Sequence, residues 1–441
     1  MTVAEKRVPH ARLIVIVAAL VGCAAILFMA RTYTFYFDEW TFILTAPGWT
    51  VATYFTPHNE HPSLLLRIVY SLLLHTFGLR TYLPYVGLLL AAHFANVVLL
   101  FELVRRRAGD LVGLGAASLL LFLGAGWDDL LWAFQMAWLA SVALGLAMLI
   151  ALQGQPTPRR TALAAALLLA SLSFSGVGIM FAAAAVVQLA LTPGRRRELA
   201  WFGLVGIVMA AWYVAFGRFG NHPNPQPTAL NLLLDPLYTL WGLTQSAAAL
   251  IGEAGWIGVV PFAAAVAAIA WRWARHGLDP FDVGVAAGLV AFYAVTGLTR
   301  AQLGITQSGS ARYIYPAAVP WLILLAGAAH GLPWRGTWRP VLVAFVFLAA
   351  FNSTVLLFAY ATARTVLMER QVADYYALSA ERMDPCLDPN AAVDLLVMPA
   401  ETEPAAYYRA IDLFGDPRAG MPLRDRSSYE AGVGKLRKAG C

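Results

Sequence analysis

Apolar stretches approaching 20 residues recur along most of this chain, beginning with RLIVIVAALVGCAAILFMA at residues 12–30. Each is long enough, as a helix, to cross the ~30 Å hydrocarbon core of a bilayer. Of the 441 residues 60% are hydrophobic and only 13% charged, against about a quarter charged in a soluble domain. Mean hydropathy is +0.64. A β-barrel would show short alternating segments in place of unbroken Leu/Ala/Val runs. The expected fold class is therefore an all-α polytopic membrane protein.

The first run follows Lys6, Arg7 and Arg12, a charged start like that of a signal peptide. It is long for one and is followed by many further spans, so it reads as a retained helix. The net charge of +6 is no nucleic-acid signal, because basic residues of membrane proteins gather on the cytoplasmic side for topological reasons. Cysteine is scarce: Cys23 lies in the first span, Cys386 and Cys441 in the tail, and no CxxC spacing points to a metal site.

Basic clusters set the expected orientation. They fall at Lys6 to Arg12, Arg105-Arg106-Arg107, Arg159-Arg160, Arg195-Arg196-Arg197, Arg272 to His276 and Arg335 to Arg339. Placing all of them in the cytoplasm gives about 11 spans: 12–30, 82–104, 111–126, 131–152, 161–175, 177–192, 199–216, 255–273, 281–298, 314–331 and 339–360. Residues 62–78 and 236–252 read as amphipathic helices at the outer interface, and counting both as spans gives 13 without changing the termini. The amino terminus is then inside. A membrane domain over 1–360 is followed by a small extracytoplasmic tail over 361–441. The Pro-rich NHPNPQP (221–227) is a loop.

On this topology the uncommon polar residues collect on the outer face, and ionisable groups at membrane depth mark functional sites. FDEW (37–40) sets Asp38 and Glu39 among aromatics, where partial desolvation would suit a carboxyl to general-base work. An interfacial aromatic belt with loop charges is the plainer account. HNEHPS (58–63) offers His58, Glu60 and His61 before Pro62, as a metal-binding set or as a polar loop entering a capped helix. GWDDLLW (126–132) carries Asp128 and Asp129, which either favour the start of the next helix or position an acceptor hydroxyl or a cation. SGSARYIYP (308–316) brings Arg312 to the outer interface, and Arg300 lies nearby; an arginine fork suits phosphate oxygens or ordinary lipid headgroups. SFSGVG (173–178) reads as a tight helical hairpin turn. No P-loop, GxSxG, HExxH or nucleotide fingerprint occurs in a suitable context, and the cytoplasmic loops are too short for a nucleotide-binding domain. A transferred group would have to arrive already activated on a lipid.

The order of these elements resembles the polytopic GT-C glycosyltransferases, such as protein O-mannosyltransferases and aminoarabinose transferases. FDEW, HPSLLLRIVYSLLLHTFGLRTYLPY (61–85) with the span leading to RRR, and SARYIYP (310–316) carry the resemblance, chiefly over the amino-terminal third. It implies a polyprenyl-phosphate sugar donor, a glycan, lipid or protein acceptor, reaction on the outer face of the cytoplasmic membrane, and inversion at the anomeric carbon. Asp38 would be the base, with Glu39 as its neighbour or an acceptor-positioning group. His61, Arg312 and Arg300 would face the donor phosphate. His58, Glu60, Asp128 and Asp129 are candidates for positioning an acceptor or a metal, and the need for a divalent cation stays open. Ser63 stands where a second proline is common, and the large soluble domain of some members is lacking. A transporter or flippase, or a non-catalytic envelope assembly protein, are the competing expectations; the former calls for ionisable groups near mid-bilayer. Cys386 and Cys441, both outside on this topology, are in a position to pair.

Overall fold

The structure, a computed structural model, describes residues 8–219, 227–252, 255–329, 338–399 and 402–441. Most of the Pro-rich loop at 221–227, the basic residues Lys6, Arg7 and Arg335, and the last two residues of the apolar segment at 314–331 lie outside them. The described residues form helices and no β-strand.

Eight long apolar helices build the bundle: α1 (Ala11–Met29), α5 (Leu83–Ala108), α8 (Met136–Leu152), α11 (Leu199–Ala215), α13 (Val259–His276), α14 (Pro280–Arg300), α15 (Ala311–Ala329) and α16 (Trp338–Glu381). A ninth is α6 (Asp110–Leu121) taken together with α7 (Trp127–Leu131), across a 45° bend. Between them pack α9 (Pro158–Phe174), α10 (Gly178–Leu191) and α12 (Ala229–Ala248), while α2 (Asp38–Thr45), α3 (Val51–Phe55) and α4 (Leu64–Thr76) fill the segment after α1. The tail holds α17 (Pro404–Phe414) and α18 (Arg426–Leu436).

All 11 segments read as spans fall on helices, but length and apolarity support eight or nine crossings among the described residues, so the count of 11 is not established. The two short members show why. At 17 and 14 residues, α9 and α10 reach about 25 and 21 Å, less than a full hydrocarbon core, whereas adjoining 3-10 turns lengthen α8 to Ala133–Leu152 and α11 to Arg196–Phe219. Helix α10 is also buried against α14, where Gly284 and Gly288 take the carbonyls of Ala184 and Met180 so closely that a Cβ would collide with them. Small residues one turn apart let membrane helices approach backbone to backbone.

Helix α16 runs unbroken for 44 residues, through residue 360 and on to Glu381. At 1.5 Å per residue it is about 66 Å long, twice what a bilayer core requires. Its far half joins the tail. Cys386 and Cys441 are linked by a disulfide, and Arg437 pairs with Glu381 at the end of the helix.

Candidate active site

The FDEW segment follows α1 and turns sharply into α2. Phe37 has φ 44° and ψ −111°, a conformation that non-glycine residues rarely adopt. Its amide donates to the carbonyl of Val397 at 2.9 Å. The turn sends the two neighbouring acids to different places.

Glu39 points inward and is completely buried. Its carboxylate accepts from the Tyr36 amide (2.9 Å), Tyr70 Oη (2.8 Å), Tyr82 Oη (2.9 Å) and Trp132 Nε1 (3.2 Å). These four donors join α2, α4, the start of α5 and the end of α7. Burial pushes the Glu39 carboxyl up from an ordinary 4.5 to about 7, against the opposing pull of the tyrosine and backbone donors. A group whose folded pKa is raised stabilises the fold most below its unfolded value, and loses that contribution as pH rises through the folded one. The unfolding free energy of detergent-solubilised protein should therefore fall between pH 5 and 8, by up to about 3 kcal/mol. In Glu39→Gln this slope should flatten; an unchanged slope would count against the assignment.

Asp38 points the other way and remains partly exposed; beside it lies His58, with Nε2 3.8 Å from Oδ2. No hydrogen bond ties its side chain among the described residues. The segment HNEH closes as a tight hairpin in which His58 and His61 exchange both backbone hydrogen bonds at 3.0 Å, with Asn59 at φ 51°. One hairpin thus delivers two imidazoles to two neighbours. His58 lies edge-on to Phe42 and Phe134 beside Asp38. His61 faces Gly176, where a Cβ would stand 2.6 Å from its Nδ1, so SFSGVG turns tightly to admit the ring. Burial, then Arg300, His58 and Arg312, lower the His61 pKa to about 3. His61 is a neutral imidazole here, able to offer a hydrogen bond but no charge.

Glu60 receives Arg300 Nη2 at 3.0 Å. Asp128 lies between two arginines, 3.5 Å from Arg364 Nη1 and 3.9 Å from Arg312 Nε. Asp129 is fully buried, and neither of its oxygens has a hydrogen-bond partner among the described residues. Arg312, half-exposed, acts electrostatically on Asp38, Asp128 and Asp129. Among the described residues no three His, Cys, Asp or Glu side chains converge as a metal-binding group.

Sequence reasoning missed Arg364, which lies on α16 beyond the expected end of the membrane domain. It is buried and stacks 4.6 Å from the centre of the Tyr36 ring. The four donors to Glu39 were missed as well. The only signal for either was an aromatic density that also fits an interfacial belt.

Beside this cluster a cavity of about 490 Å³ runs between α9, α10, α11 and α14. Its walls are apolar, with Leu168, Leu172, Val186, Phe202 and Met209 among them. Glu60, His61 and Arg300 line it as well, and Asp38 does not. The hairpin therefore connects a partly exposed carboxylate, through His58, with the cavity, through His61.

No family model and no curated protein matches the sequence. Among solved structures, ArnT from Cupriavidus metallidurans, crystallised bound to undecaprenyl phosphate, matches with a TM-score of 0.55 at 14% identity, over 97% of this chain and 88% of ArnT. The long apolar helices, their order and this likeness make the chain a multi-pass helical membrane protein with the GT-C glycosyltransferase fold.

Proposed function

We propose that the protein transfers a sugar from a polyprenyl-phosphate donor to an acceptor hydroxyl or amine on the outer face of the cytoplasmic membrane, with Asp38 as general base. The observation that carries this reading is the cavity: apolar walls suited to an isoprenoid tail, together with a guanidinium and an imidazole suited to a phosphate. The bound lipid of ArnT has the same two-part chemistry.

In the proposed reaction the acceptor attacks the anomeric carbon as the bond from that carbon to the phosphate oxygen breaks. The bonding electrons pass to the lipid phosphate, and the acceptor proton passes to Asp38. Arg300 and an N–H of His61 would stabilise the charge developing on the leaving phosphate. Being neutral, His61 adds direction without adding charge. His58, 3.8 Å from Asp38, supports the carboxylate. Asp128, held by Arg312 and Arg364, would brace the acceptor side.

Two features support an outer-face site. The arginine clusters at 105–107 and 195–197 end or precede helices in the connectors that the charge rule puts inside. The tail that touches Phe37 carries a disulfide, which persists in oxidising compartments.

Arg300→Gln should weaken binding of polyprenyl phosphate about 10–100-fold, the scale of a hydrogen bond to a charged group. Quenching of intrinsic tryptophan fluorescence on titration with the lipid measures it. Unchanged affinity would remove Arg300 from the phosphate site, and failure of the wild type to bind the lipid would sink the reading.

A further inference from the structure

We propose that the tail turn Asp394–Met398 is a positioning element of the site, aiming Asp38 through the backbone of Phe37, with Asp394 as the positioning residue at its root. The inference rests on the reading of Asp38 as base, and extends the site to a segment far beyond the membrane domain in sequence.

Asp38 has no hydrogen bond of its own to fix its side chain among the described residues, only His58 at 3.8 Å. Its direction is therefore decided by the backbone that carries it. That backbone holds an uncommon conformation at Phe37, which persists only where the surroundings over-determine it. The tail supplies the determinants. Val397 accepts the Phe37 amide at 2.9 Å, and Val397 and Met398 are both buried. Tyr375 Oη donates to the Phe35 carbonyl at 2.9 Å and receives Trp40 Nε1 at 3.3 Å. Residues 35, 37 and 40 are thus held on both sides of Asp38.

The Val397 carbonyl is in turn set by Asp394. The amides of Val397 and Met398 donate to the Asp394 carbonyl at 3.1 and 2.9 Å, and the Leu396 amide donates to Asp394 Oδ1 at 3.1 Å. The other carboxylate oxygen pairs with Arg370 of α16. A continuous path runs from α16 through Arg370, Asp394, Val397 and Phe37 to the base. A misplacement of about 1 Å at a reacting group can cost on the order of 100-fold in rate.

The test uses the full chain carrying Cys23→Ser and Asp38→Cys, with the rate of maleimide labelling as readout. Asp394→Ala, and the milder Asp394→Asn that keeps the turn's hydrogen bond to Leu396, should each change that rate about fivefold or more. Arg437→Ala breaks a tail ion pair that has no part in the turn and should leave the rate within about twofold. Equal rates in the Asp394 and Arg437 variants would overturn the proposal. With Asp38 restored, Asp394→Asn should lower kcat about fivefold or more and leave KM for the polyprenyl-phosphate donor unchanged. Added to Asp38→Asn it should have no further effect, because both act through one carboxylate. A rise in KM alone, or an additive loss, would overturn the proposal. Labelling requires no transfer, so a wild type without transfer activity refutes the functional reading while the labelling rates still decide the positioning.

Discussion

Asp38→Asn is expected to reduce transfer from a polyprenyl-phosphate sugar by about 10²–10⁴-fold, the usual range for losing a general base. The amide is nearly isosteric, so the site keeps its shape and loses only the ability to take a proton. Asp38 makes no hydrogen bond among the described residues, and its only close partner is His58 at 3.8 Å. Removing its charge therefore breaks no hydrogen bond among the described residues. The unfolding midpoint should stay within about 2 °C of wild type, as for a surface change. Lipid affinity should persist too, since Asp38 lies outside the cavity lining. An in-membrane transfer assay beside a lipid titration separates these outcomes. Equal transfer by variant and wild type would remove Asp38 as base.

Glu39→Ala is expected to do the opposite, breaking the fold more than the chemistry. The change strips the acceptor from Tyr70, Tyr82, Trp132 and the Tyr36 amide at once. All three side chains are buried. Unsatisfied buried donors cost about 1–3 kcal/mol each, and removal of one partner from a buried charged network typically costs about 3–5 kcal/mol in all. Set against a total stability of about 5–15 kcal/mol, this should abolish most recovery of folded protein. Size-exclusion profiles and thermal unfolding in detergent provide the measurement. A Glu39→Ala protein that folds normally but is inactive would instead make Glu39 part of the chemistry.

The contrast between these two residues marks where the sequence stops being legible. Adjacent acids in YTFYFDEW are equivalent to any compositional reading, and the Phe37 turn is what sends one into the core and leaves the other accessible. That turn depends on Val397, which no local pattern announces. The membrane helices were far easier to read, because hydropathy reports lipid exposure directly. The same signal failed beyond residue 360: α16 continues through polar, helix-forming residues to Glu381, and a hydropathy window detects departure from lipid rather than the end of a helix. Arg364 was lost with that boundary. His58 and His61 were found as a pair, yet their division between Asp38 and the cavity follows from the hairpin register. The short α9 and α10 were legible as helices, while their depth in the bilayer is a matter of packing that no local window reports.

The bond between Tyr375 and the Phe35 carbonyl joins residues 340 positions apart. At about 5–20 residues per second, roughly 20–70 s of synthesis separate the emergence of the two partners. The first loop therefore leaves the ribosome long before the residues that shape it exist. A product terminated before residue 375 would carry most of the apolar helices and still lack the contacts that fix residues 35, 37 and 40, so the site proposed around Asp38 takes shape only after those tail residues are made.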